Sequence, residues 1–183
     1  MKNSYIGQAW LVLMLAICFG AALAGVQVGL KDRIDANKLA DTLDQIPTLV
    51  PGAMSGELEI LGDQSAYKAT DASGEHVGWD VPAAGQGFAD RIELLVGLNV
   101  GLSEITGLYV LDQKETPGLG NKITFDDWRG QFAGKPAGGL SIVKGAAQSD
   151  TQVEAVTGAT ISSESVVSIV NGAVAKFRAA LGG

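Results

Sequence analysis

"RIELLVGLN" (Arg91–Asn99) and "EITGLYVLD" (Glu104–Asp112) decide the fold. Both are rich in branched and aromatic apolar residues over a strand's length, and only a short Gly- and Ser-containing break separates them. A gap that short joins antiparallel neighbours, because a parallel pair needs a crossover of a dozen or more residues. Upstream, "GELEILG", "SAYKAT" and "EHVGWDV" share the habit, with "DASG" (Asp71–Gly74) as a hairpin turn between the last two. The spacing predicts a twisted antiparallel sheet rather than alternating βαβ units.

Downstream of Asp112 the pattern changes. "QKETPGLGNKI" reads as a polar, Gly-rich loop, "TFDDWRGQF" as a short helix with Thr124 as its N-cap, and "AGKPAGG" as a turn. "LSIVKG" and "QVEAV" read as two more strands. "SSESVVSIVNGAVAKFRAAL" reads as a closing helix, with Val166, Val167, Val170, Val174 and Phe177 forming an apolar stripe. The expected class is α+β: a twisted antiparallel sheet with packed helices.

The N-terminal segment is of another kind. From Asn3 to Leu30 no residue is charged, and "AWLVLMLAICFGAALAGVQVGL" from Ala9 is long enough to cross a bilayer core. Lys2, the apolar run and "ALA" at Ala22–Ala24 also fit a secretory signal with a small-residue cleavage site. The apolar character continues through Val26, Val28 and Leu30, so a retained anchor is the expectation. Ile34, Leu39, Leu43 and Ile46 then follow at mostly helical spacing, with Pro47 and Pro51 ending the run. The expected division is an N-terminal transmembrane anchor at 1–30, a juxtamembrane helix and linker at 31–51, and a globular domain at 52–183. Lys2 on one flank, against Lys31 and Arg33 offset by Asp32 on the other, leaves the positive-inside rule nearly silent.

Charge and composition exclude several functions. Lys2 is the only one of 13 Lys and Arg before residue 31, and all 20 Asp and Glu follow it, so residues 31–183 carry a formal charge of −8. Such a chain offers no basic face for nucleic acid. Cys18, inside the apolar segment, is the only cysteine, so no internal disulfide and no Cys-ligated metal site can form. His76 is the only histidine and reads as a surface residue, which argues against a Ser-His-Asp unit or a catalytic zinc. "GQG" at Gly85–Gly87 lacks the third glycine and the strand-to-helix setting of a dinucleotide fingerprint.

Two Gly-rich elements remain: "ETPGLG" (Glu115–Gly120) and "TGAT" (Thr157–Thr160). Both read equally as plain turns, and the serines and threonines of "VTGATISSES" as helix caps. The second element also opens a helix, whose free N–H groups and dipole favour a phosphate. The first offers backbone without bulky side chains and Leu119 as an apolar tip, suited to a flat ring.

With "WRGQFAGK" and the N-terminal apolar helix, these residues resemble the FMN-binding domain of the G subunit of Rnf electron-transport complexes and of the C subunit of sodium-pumping NADH:quinone reductases. In that family, Ser or Thr, Gly-Ala-Thr, one further residue and Ser or Thr form a signature. Its final Gly-Ala-Thr threonine, Thr160 here, carries FMN by a phosphoester bond. The family commonly has Asp three residues before the signature, where this chain has Glu154. The resemblance implies flavin contacts by Glu115, Thr116, Gly118, Leu119, Gly120, Thr157 and Ser162, approach of the phosphate over Gly158 and Ala159, and charge compensation by Lys144.

It also implies covalent FMN, a flavin transferase for maturation, and other membrane and redox subunits as partners. The place implied is the inner membrane, crossed once, with the domain on the periplasmic or outer side. The function implied is electron relay within an ion-translocating ferredoxin:NAD oxidoreductase, not a complete enzyme alone. Alternatives are a C-type quinone-reductase component, a cofactor-free binding module tethered to the membrane, and a stand-alone flavin reductase or sensor.

Overall fold

The structure is a computed structural model that describes residues 5–182, with side chains from Ala9 onward; Lys2 lies outside the described residues. The chain forms two compact units, residues 1–40 and 41–183. In the first, helix α1 (Tyr5–Leu49) begins and runs unbroken through Ala22–Ala24. Its most apolar window has a mean hydropathy of 2.4 and is wholly exposed, so by length and composition it can cross a membrane. At 1.5 Å per residue, Ala9–Leu30 alone spans roughly 33 Å, enough for a hydrocarbon core. The expected juxtamembrane helix is continuous with this one, and Pro47 falls inside the last turn, just before the helix stops at Leu49.

In the second unit, five strands form an antiparallel meander: β1 (Ser55–Leu61), β2 (Gln64–Thr70), β3 (His76–Gln86), β4 (Arg91–Asn99) and β5 (Glu104–Asp112). The β2–β3 turn is built by Asp71, whose carboxylate accepts the N–H groups of Ser73 and Glu75, while Gly74 takes φ +82°. Three short elements depart from the sequence expectation. Thr124 does not cap α2 (Asp126–Arg129): Phe125 holds that position, and the Thr124 hydroxyl donates back to the Asn121 carbonyl within a 3₁₀ turn, Gly120–Thr124. β6 (Lys135–Pro136), read as a turn, pairs with β5. β7 (Ser141–Val143) and β8 (Gln152–Glu154) form their own parallel pair instead of extending the sheet. The last helix, α3, spans Thr160–Leu181.

Both faces of the sheet are covered. On one, alternate β4 residues Ile92, Leu94, Val96 and Leu98 meet the α3 stripe of Val166, Val170, Val174 and Phe177. Phe177 sets its ring edge against Trp79 at 5.3 Å between centroids. Full burial of such side chains is worth about 1.5–3 kcal/mol each, which fixes α3 and hence the position of its N-terminus.

On the other face, Ile46 and Leu49 from the end of α1, with Val50 just after it, pack with Tyr67, Ala69 and Leu95. Glycines allow this close approach. A Cβ on Gly97 would lie 2.9 Å from the Leu49 carbonyl oxygen, and one on Gly78 would lie 2.7 Å from Val50 Cγ1. Asp80 faces this layer, opposite Tyr67 and Gly97 and alternating with Trp79 and Val81. It is 0% exposed, and among the described residues neither carboxylate oxygen has a hydrogen-bond partner. Loss of water pushes its pKa up to about 8.

Candidate functional site

The two Gly-rich elements come together at the N-terminus of α3. Thr116, Pro117, Gly118 and Leu119 form a tight turn in which the Leu119 N–H donates to the Thr116 carbonyl at 3.2 Å. Proline at the second position and glycine at the third, with φ +77°, are what a type II turn requires. Asn121 Oδ1 accepts the Gly118 N–H and closes the loop. The opposing loop turns at Gly158, φ +81°, where a Cβ would sit 3.2 Å from Leu119 Cδ2. Gly158 thus serves both the backbone turn and the approach of the two loops.

The serines behind this turn do not cap the helix. α3 starts at Thr160 with Ala159 in the N-cap position, and no side chain bonds there. Ser162 instead donates its hydroxyl to Glu115 Oε2 at 2.6 Å. Ser163 donates to the Ala159 carbonyl and accepts the Val156 N–H, tying the loop to the helix. Among the described residues no acceptor meets the N–H groups of Thr160, Ile161 and Ser162. A 22-residue helix therefore ends in open donors, an arrangement that receives anions.

A cavity of about 330 Å³ lies over these groups, lined by Phe88, Glu115, Thr116, Leu119, Gly120 and the first turn of α3 with Gly158 and Ala159 before it. Eight residues expected from sequence gather here: Glu115, Thr116, Leu119, Gly120, Gly158, Ala159, Thr160 and Ser162. Gly118 shapes the turn without lining the cavity, and Thr157 is exposed just before Gly158. Lys144 is not brought to the site; it is exposed in the loop after β7. Glu115 is thus the only charged residue in the lining.

Phe88 and Ile161 complete the cavity and have no counterpart among the residues expected from sequence. They are 61% and 54% exposed and, with Leu119 at 46%, make an apolar rim. A bulky apolar residue directly after a Gly-rich turn, as in "GQGF", is the one sequence signal that marks Phe88. His76 lies elsewhere, its Nε2 within 2.9 Å of the Gly78 carbonyl oxygen and its ring edge against Trp79. No group of three His, Cys, Asp or Glu able to hold a metal occurs among the described residues.

The residues fit FMN. Open helix N–H groups suit its phosphate, the apolar rim suits its ring, and Thr160 places a hydroxyl at the first position of the helix. Comparison with known proteins agrees. Residues 87–175, which contain both loops and the Phe88 turn, match the FMN-binding domain family. The G subunit of the ion-translocating oxidoreductase complex of Shewanella baltica is 31% identical over 195 aligned positions, covering 97% of this chain and 91% of the relative.

The chain belongs to this G-subunit family.

The corresponding G subunit of Methanosarcina acetivorans is 42% identical over 108 residues, 59% of this chain, so that match spans about half the relative's length. Among solved structures, NqrC of Shewanella oneidensis superposes with a TM-score of 0.53 at 24% identity, covering 66% of this chain and 64% of NqrC. The C subunit of the Na(+)-translocating NADH-quinone reductase from Parabacteroides distasonis gives 0.57 at 20%, covering 66% and 63%. This member of the G-subunit family shares their fold.

Proposed function

We propose that this chain is the membrane-anchored electron-transfer subunit of an ion-translocating ferredoxin:NAD oxidoreductase complex, with FMN held in phosphoester linkage on Thr160. The observation that carries this reading is the cavity in which an uncapped helix N-terminus presents the Thr160 hydroxyl beside the Thr116–Gly120 turn. FMN supplies one- and two-electron transfer when bound. The chain's own groups do the rest: N–H groups of the first turn of α3 receive the phosphate, Gly158 and Ala159 let it approach, and Phe88, Leu119 and Ile161 shield the ring.

Attachment needs a flavin donor whose phosphate is held in an anhydride, and a flavin transferase to deliver it. Thr160 Oγ forms the new P–O bond, the anhydride bond breaks with its electron pair leaving on the departing phosphate, and the hydroxyl proton goes to water. The protein works as a relay between other membrane and redox subunits of the complex, anchored once in the inner membrane with its domain on the periplasmic or outer side. The full chain, co-expressed with a flavin transferase and purified from solubilised membranes, is expected to be yellow after denaturation and desalting. A colourless product, alongside a control protein that the same transferase has modified, would refute the reading.

A further inference from the structure

Glu115 lines the cavity but is only 4% exposed, and both of its carboxylate oxygens are already engaged by the protein. Oε1 accepts the Ala89 N–H at 3.0 Å, and Oε2 accepts the Ser162 hydroxyl at 2.6 Å. Its own N–H donates to Gln113 Oε1 at 2.6 Å, which holds the backbone as well. Two glycines press on the carboxylate: a Cβ on Gly87 would fall 2.4 Å from Oε1, and one on Gly120 would fall 2.8 Å from both Oε2 and Ser162 Oγ. The three segments joined by this one side chain are those that wall the cavity: the loop carrying Phe88, the turn carrying Thr116 and Leu119, and the first turn of α3 carrying Thr160 and Ile161.

We infer that Glu115 is a positioning residue of the flavin site, not a flavin ligand: by bonding Ala89 and Ser162 together it sets the spacing of the three cavity walls and the placement of Thr160. The inference rests on the FMN reading for its consequence, but the latch itself exists without any cofactor. Reacting groups misplaced by about 1 Å commonly lose up to a hundredfold in rate. Glu115 is suited to the task because its arm spans both partners; aspartate, one methylene shorter, reaches only one. Glutamine keeps both bonds, its amide oxygen accepting the Ala89 N–H and its amide NH₂ donating to Ser162 Oγ.

The test compares wild type, Glu115→Asp, Glu115→Gln and Ser162→Ala as full chains in detergent. Without a transferase, hydrogen exchange is followed at the Ala89 amide and at Ser163, whose N–H makes the first backbone bond of α3, to the Ala159 carbonyl. Glu115→Asp should accelerate exchange at both sites together by about tenfold while the β4 amides stay protected, and Glu115→Gln should stay near wild type. With a transferase, flavin per chain should fall about tenfold in Glu115→Asp and recover to within about twofold of wild type in Glu115→Gln. The visible band of whatever flavin Glu115→Asp carries should be shifted. Ser162→Ala, which removes one bond and leaves the carboxylate in place, covers the case in which Glu115→Asp fails to fold; it should raise exchange in α3 but not at Ala89. Wild-type exchange in both Glu115→Asp and Ser162→Ala would overturn the inference, as would a Glu115→Gln variant as poor in flavin as Glu115→Asp, since the charge itself would then be required. A wild type that never takes up flavin yet shows the exchange pattern would sink the FMN reading while leaving the latch standing.

Discussion

Asp80→Asn should make the fold less sensitive to pH. The Asp80 carboxyl lies between β3 and the end of α1, facing Tyr67, Gly97 and Leu95, and no lysine or arginine is fully buried among the described residues. Burial raises its pKa from 3.8 to about 8 in the folded state. Well below pH 3.8 the group is neutral in both states and its ionisation contributes nothing to the difference between them. As pH rises through the interval up to about 8, the unfolded chain ionises while the folded chain holds its proton, so stability falls with rising pH and levels off beyond that. One pKa unit corresponds to about 1.4 kcal/mol. Asparagine is neutral throughout, so the stability advantage of Asp80→Asn over wild type should grow by about 2–3 kcal/mol between about pH 5 and pH 7. The fixed cost of burying an unpartnered amide, about 1–3 kcal/mol, shifts both values equally and drops out of the pH difference. Urea unfolding of the detergent-solubilised chain, followed by tryptophan fluorescence at several pH values, measures this. A difference that stays constant from about pH 5 to pH 8 would refute the claim that Asp80 is buried without a partner.

Two other substitutions probe the scaffold and the site separately. Gly97→Ala places a methyl 2.7 Å from Thr106 Oγ1 and 2.9 Å from the Leu49 carbonyl oxygen, so it should cost about 1–3 kcal/mol in urea and raise protease sensitivity around residues 45–53. Lys144→Ala should leave flavin content and its spectrum unchanged, because Lys144 is exposed and outside the cavity lining; a loss of flavin would show that the loop after β7 closes onto the site.

The sheet is legible in the sequence because its strands alternate and its turns carry the expected residues: "DASG" gives the Asp71 turn, and "RIELLVGLN" buries four alternate residues against α3. The second layer is not. Gly78, Gly97 and Gly107 sit on three different strands, and only the register shows that they form one floor for Leu49 and Val50. β6 is two residues long, and the β7–β8 pair depends on Trp128 and Gln131 contacts to Glu154 that no local pattern encodes. At the site, the glycines and Thr160 are visible in sequence because turn chemistry and helix starts are local. Phe88 is not, because an isolated phenylalanine carries no functional signature until the fold brings it to the same cavity as Leu119. Lys144 is expected from the resemblance, to offset the phosphate charge, and charge complementarity says nothing of distance.

The proposed function places the flavin on Thr160. Peptide mass mapping of the full chain, co-expressed with a flavin transferase, should find the peptide containing Thr157–Ser163 heavier by FMN less one water, with the addition on Thr160 and absent in Thr160→Ala. An unmodified peptide from a chain whose control is fully flavinylated, or an addition on Thr157 that persists in Thr160→Ala, would contradict the account.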